Sequence, residues 1–155
     1  MTYFILKYLH LIGAVVLLGT GAGIAFFMLT AHRSRDTGHI FRTAKSVVLA
    51  DFLFTATAVV AQPVTGLLLA RELGLPLSEP WLATSLILYL VTGAFWLPVV
   101  RMQMRMRDLA RTAVESRKKL RAEYHRLFRL WFLCGIPAFG SVLAILWLMV
   151  VKPSW

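Results

Sequence analysis

The chain has 155 residues, 59% of them hydrophobic, with a mean hydropathy of +0.72. That composition excludes an ordinary soluble domain and leaves room for one membrane domain. The formal net charge is +10, but 14 of the 17 Lys and Arg fall in two stretches flanking apolar runs, Arg33–Lys45 and Arg101–Arg129. Charge placed this way is expected in positive-inside loops beside anionic lipid on the cytoplasmic face, with no nucleic acid as partner.

The first predicted span covers about residues 3–31 and carries one charge, Lys7. The stretch Leu6–Arg33 is about 43 Å long as a helix, enough to cross roughly 30 Å of hydrocarbon. It is too long for a signal peptide and its basic flank follows it, so no cleavage is expected. His10 is the one histidine well inside a predicted span, and intramembrane ionisable groups are candidates for function. Leu6, His10, Gly13, Leu17, Gly21 and Met28 share one face. Gly13 and Gly21 are expected to leave room beside the imidazole for a flat ligand. The alternative is an interfacial histidine bonded to a backbone carbonyl. Gly19 and Gly23 form a GxxxG pair on the opposite face, which lets another helix approach closely and leaves a homo-oligomer open. His32, about 33 Å further along, cannot share a metal with His10 and is expected to be solvated at the membrane surface.

A short basic connector is expected over about residues 31–45, followed by a second span over about 46–70. Asp51, Thr55, Ala58, Gln62 and Thr65 fall on one line down that span. A polar line along a membrane helix should face other helices or a cavity. Asp51 is expected to face the bundle, with Lys45 or a basic residue of the later hairpin offsetting its charge. Pro63 frees a backbone carbonyl for a nearby side chain or ligand.

Residues 71–81 read as a short outer loop ending in an interfacial anchor, Trp81. The third span, about 82–100, places Ser85, Tyr89, Thr92 and Trp96 on one face. Residues 101–129 carry ten Lys and Arg against three acids. Met102, Met106, Leu109 and Ala113 recur at helical spacing there, as do Leu120, Tyr124 and Leu127, predicting a basic helical hairpin that turns near Ser116–Lys119. The fourth span, about 130–151, is rich in small residues and ends at Trp147, Lys152 and Trp155 on the outer side. The reading is therefore an all-α polytopic protein: one four-transmembrane-helix bundle over residues 1–155, in the inner membrane, with both termini outside the cytoplasm. No Gly-rich phosphate loop and no set of catalytic side chains at one depth can be read.

The runs LKYLHLIGAVVLLGTGAGIAFFMLTAHRS, AQPVTGLLLA, PWLATSLILYLVTGAFWLPVVRMQMRMRDLA and YHRLFRLWFLCGIPAFGSVLAILWLMVVKP resemble the predicted integral membrane protein family known as domain of unknown function 2269. QPVTG, WLPVV and WLMVVKP carry that resemblance, which implies a fold class and no activity. Lys7 and His10 as KxxH, four spans, and the ending VVKP at Val150–Pro153 are also distantly similar to HemJ-type protoporphyrinogen oxidase, whose members are membrane proteins that bind heme b. This resemblance implies a small heme-dependent oxidoreductase with His10 as axial ligand. Gln62, Thr65, Ser85 and Tyr89 would line the pocket, Met149 lies at the depth of a second ligand, and Lys7 and Lys152 would meet the propionates. Where the HemJ-type pattern has Trp-Leu-His, this chain has Trp81-Leu82-Ala83. The alternative function is a non-catalytic membrane subunit or small transporter, with the polar line of the second span bordering a path and Asp51 as a proton- or cation-sensitive group.

Overall fold

The computed structural model describes residues 1–153; Trp155, expected at the outer face, lies outside the described residues. The chain forms α1 (Thr2–Ser34), α2 (Thr37–Ala50), a five-residue π-helical turn (Asp51–Thr55), α3 (Ala56–Glu72), α4 (Pro80–Glu115) and α5 (Ala122–Val151). The α2 helix, the π-helical turn and α3 run on as one rod. Four helices are thus long and apolar enough to cross a membrane: Thr2–Ser34, Thr37–Glu72, Pro80–Glu115 and Ala122–Val151. No strand occurs among the described residues.

The expected connector is almost entirely helix. Only Arg35 and Asp36 separate α1 from α2. Arg35 ends α1 in the left-handed region at φ 57°, and the Asp36 carboxylate accepts the Gly38 N–H at 2.8 Å, capping α2. The α2 helix forms because Ile40, Ala44, Val47 and Val48 recur on one buried face, while Arg42 and Lys45 point outward. At the other end of the bundle, α3 closes with Gly74 at φ +63°. The Leu75 N–H reaches the Ala70 carbonyl at 2.9 Å and the Gly74 N–H reaches that of Arg71 at 3.1 Å.

The main core joins both basic connections at one end. Met28, Ala31, Ile40, Ala44, Met106, Ala110, Tyr124, Phe128 and Trp131 pack in one cluster. The predicted hairpin faces fit this: Met106, Leu109, Ala113 and Tyr124 are buried, and the turn falls over residues 116–121. The hairpin therefore does not stand free of the bundle; its apolar face covers the ends of α1 and α2. His32 is held there rather than solvated. Its ring stacks on Phe128 at 3.8 Å between centroids and 7° between planes. Arg105 of α4 pairs with Glu123 of α5 at 2.8 Å across the exposed side of the hairpin.

A smaller cluster closes the opposite end, with Ala70, Trp81, Leu82 and Leu148 buried together. Trp81, expected as an interfacial anchor, belongs to this cluster, with the Lys152 ammonium 5.6 Å above its ring. In this half α1 packs on α3, and α4 packs on α5. The two pairs meet along a cleft.

Candidate functional site

The polar line of the second span is the buried face of the rod. Asp51, Thr55, Ala58, Gln62 and Thr65 are all buried. The face Ser85–Tyr89–Thr92–Trp96 of α4 also turns inward, with Ser85 buried and the other three half-buried. These two lines build two polar clusters at different depths.

One cluster surrounds His10. Thr65 Oγ1 donates to the Ala61 carbonyl at 2.7 Å, so the same oxygen accepts from His10 Nδ1, 2.9 Å away. That arrangement fixes the proton on Nδ1 and leaves the lone pair on Nε2. The Gln62 amide donates to the His10 carbonyl at 2.7 Å. A cavity of about 60 Å³ lies beside this pair, where α1, α3, α4 and α5 meet. His10, Gln62, Ser85, Tyr89 and Met149 all border it, which brings together most of the residues expected around a ligand on His10.

The glycines act otherwise than expected. A Cβ at Gly13 would stand 2.5 Å from Gln62 Nε2, so the space Gly13 leaves is filled by the Gln62 side chain. Gly21 is about 16 Å further along α1 than His10, and a Cβ there would meet only the Phe139 ring, at 3.9 Å. The glycine that admits the imidazole is Gly66, unnoticed in the sequence, where a Cβ would come within 3.1 Å of His10 Cε1. Its position in QPVTG, one turn after Gln62, was the available signal. Lys7 lies outside the cavity with its ammonium 5.6 Å from the Tyr3 ring, and Lys152 covers Trp81.

Pro63 has the effect expected of it. Lacking an N–H, it leaves the Val59 carbonyl without its helical partner. The Tyr89 hydroxyl donates to that carbonyl, tying α4 to α3 across the cleft.

The other cluster surrounds Asp51, the first residue of the π-helical turn. The carboxyl is 4% exposed. The Gln103 amide of α4, 2% exposed, donates to Asp51 Oδ2 and accepts from Trp131 Nε1 at 3.2 Å when its oxygen and nitrogen are placed to suit both neighbours. Thr55 and Trp96 also turn toward the carboxyl. Thr55 Oγ1 and Trp96 Nε1 are buried and make no well-formed hydrogen bond, so two donors beside Asp51 remain unspent. The expected offset by Lys45 or a hairpin cation is absent: no ion pair among the described residues includes Asp51. The neutral Gln103 amide, the Thr55 hydroxyl and the Trp96 indole face it instead. Single-turn π-helices often occur where a helix is reshaped for function, and this one begins at Asp51 and ends at Thr55, both buried.

A family model described as a predicted integral membrane protein (DUF2269) matches residues 4–153. The chain belongs to this family. No curated protein and no solved structure matches it. Membership agrees with the four apolar helices and names no chemistry, so the activity must be argued from the two clusters.

Heme b, implied by the HemJ-type resemblance, can be set against the cavity. Sites for ligands of such size usually measure about 300–1,000 Å³, and the space beside His10 is about 60 Å³. It holds a water or two. With α1 and α3 this close to α4 and α5, a porphyrin does not fit there.

Proposed function

We propose that this member of the family is a small proton- or cation-linked membrane transporter, or the membrane subunit of one, with Asp51 as the exchanging group. The observation that carries the reading is a buried carboxyl inside a membrane-length helix, faced by neutral donors and by no cation. Such a group is costly in a membrane and marks ion and proton routes. The line Thr55, Ala58, Gln62, Thr65 extends from Asp51 to the half-buried His10 of α1, which bonds Thr65, so a titratable side chain stands at each end of it. The proposed orientation puts both termini outside and both basic connections in the cytoplasm, because 14 of 17 basic residues lie near that end. Asp51 then belongs to the inner leaflet and His10 to the outer.

The test is proton entry into proteoliposomes driven by a potassium diffusion potential. The wild-type chain is expected to admit protons several-fold faster than Asp51→Asn at equal reconstitution. Equal rates, at the level of empty liposomes, contradict the reading.

A second reading, heme b on His10 in a small oxidoreductase, is supported by the fixed Nδ1 proton, which leaves Nε2 available as a ligand atom. It requires the two helix pairs to part along their cleft. Protein expressed with ample heme then shows a Soret band that His10→Ala removes and His125→Ala keeps; colourless wild-type protein refutes it.

A further inference from the structure

A further groove in the molecule is separate from both clusters. It lies open between α1 and α2, with a volume of about 590 Å³. Thr20, Gly23, Ile24 and Phe27 form one wall. The other wall changes character along its length: His39, Arg42, Thr43 and Ser46 at one end, then Val47, Ala50 and Phe54.

Three observations identify what such a groove takes. First, its length matches one leaflet. His39 and Phe54 are about 22 Å apart along the rod, against about half of a 40–45 Å bilayer with its headgroups. Second, its polarity runs in the order of a phospholipid, with cationic and hydroxyl groups at the membrane surface and apolar groups toward the midplane. Third, the cation is available. Arg42 is exposed, and its one acidic neighbour, Asp36, lies at the 4.0 Å limit of an ion pair. The GxxxG pair opens onto this side, because a Cβ at Gly19 or at Gly23 would meet nothing within 4 Å. A second copy seated here face to face would set two Arg42–His39 ends beside each other at one depth, and like charges oppose that.

We propose that this groove holds one anionic phospholipid, an acyl chain lying against Gly23 and Phe27 and the phosphate held by Arg42 and His39. The basic hairpin attracts anionic lipid in general; this site holds a single molecule in place. The proposal is independent of Asp51.

The test uses the full chain, purified in a neutral detergent and equilibrated with equimolar phosphatidylglycerol and phosphatidylcholine. Lipid retained after gel filtration is measured by mass spectrometry. Wild type is expected to retain phosphatidylglycerol in preference. A Cβ at Gly23 meets nothing within 4 Å, so Gly23→Leu projects into the groove and should lose retained lipid while keeping its helicity. Arg42→Gln should retain lipid with the preference for phosphatidylglycerol reduced about fivefold. Wild-type retention by Gly23→Leu overturns the proposal. So does a wild-type dimer that Gly23→Leu converts to monomer with its lipid unchanged, because the groove would then be an interface between copies.

Discussion

Tyr89 joins two helices through one hydroxyl, and the reason lies four residues before a proline. Pro63 cannot donate to Val59, and in hydrocarbon a bare carbonyl is costly. Tyr89→Phe is expected to destabilise the protein by about 1–3 kcal/mol, the cost of a buried acceptor left unpaired. In a Pro63→Ala background the loss should be smaller, because residue 63 regains the N–H that Val59 needs. Unfolding in mixed detergent micelles measures both; equal losses in the two backgrounds would show that the Tyr89 hydroxyl acts independently of the carbonyl that Pro63 frees. The freed carbonyl was legible from Pro63 in the sequence, but its partner was not, because helical spacing places Tyr89 on a face without saying which backbone atom that face meets. Gln103 was harder still. It sits among Met102, Met106 and four nearby arginines, and hydropathy reads it as one more polar residue of a solvated hairpin. Its burial follows from Gln103, Met106 and Ala110 sharing a face that covers α2 and the π-helical turn.

At the scale of elements, the long apolar helices could be read directly, since length and hydropathy decide membrane spans. The α2 helix could not. Its basic residues suggested a connector, whereas its buried residues form a helical stripe of ordinary amphipathic kind. The hairpin turn shows the same strength and gap. Its place was readable, its geometry was not. Lys118 N–H bonds to the Ala113 carbonyl at 3.0 Å and Arg117 N–H to that of Val114 at 3.2 Å, with Arg117 at φ 52° where glycine is the usual residue. Arg117→Gly removes the left-handed strain of a side chain and adds some unfolded-state freedom. The net expectation is a gain of about 0.5 kcal/mol. A thermal melt of the detergent-solubilised protein checks it; a lower midpoint would mean that the Arg117 side chain has a contact of greater worth than the strain.

At the scale of the whole molecule, the bundle is packed unevenly. The hairpin end holds most of the large buried side chains, while the half around His10 is two helix pairs facing each other across a narrow polar cleft. A tight hairpin end and a dividing opposite end allow motion of one pair against the other, which transport and cofactor entry would both need. The Asp51 cluster lies on the tightly packed side of that division. The stripe it begins was visible in the sequence because 100° steps line up Asp51, Thr55, Gln62 and Thr65. That its neighbours are neutral could be known only once α4 and α5 were in place.

The proposed transport requires the Asp51 carboxyl to exchange its proton or cation inside the bundle. Infrared difference spectroscopy of the reconstituted protein between acid and alkaline buffer tests it most directly. The expected result is a carboxylic C=O band that disappears on raising the pH, is absent in Asp51→Asn, and shifts in Gln103→Leu as the amide donor is lost. A wild-type spectrum with no such band, or one that Asp51→Asn leaves unchanged, would contradict it.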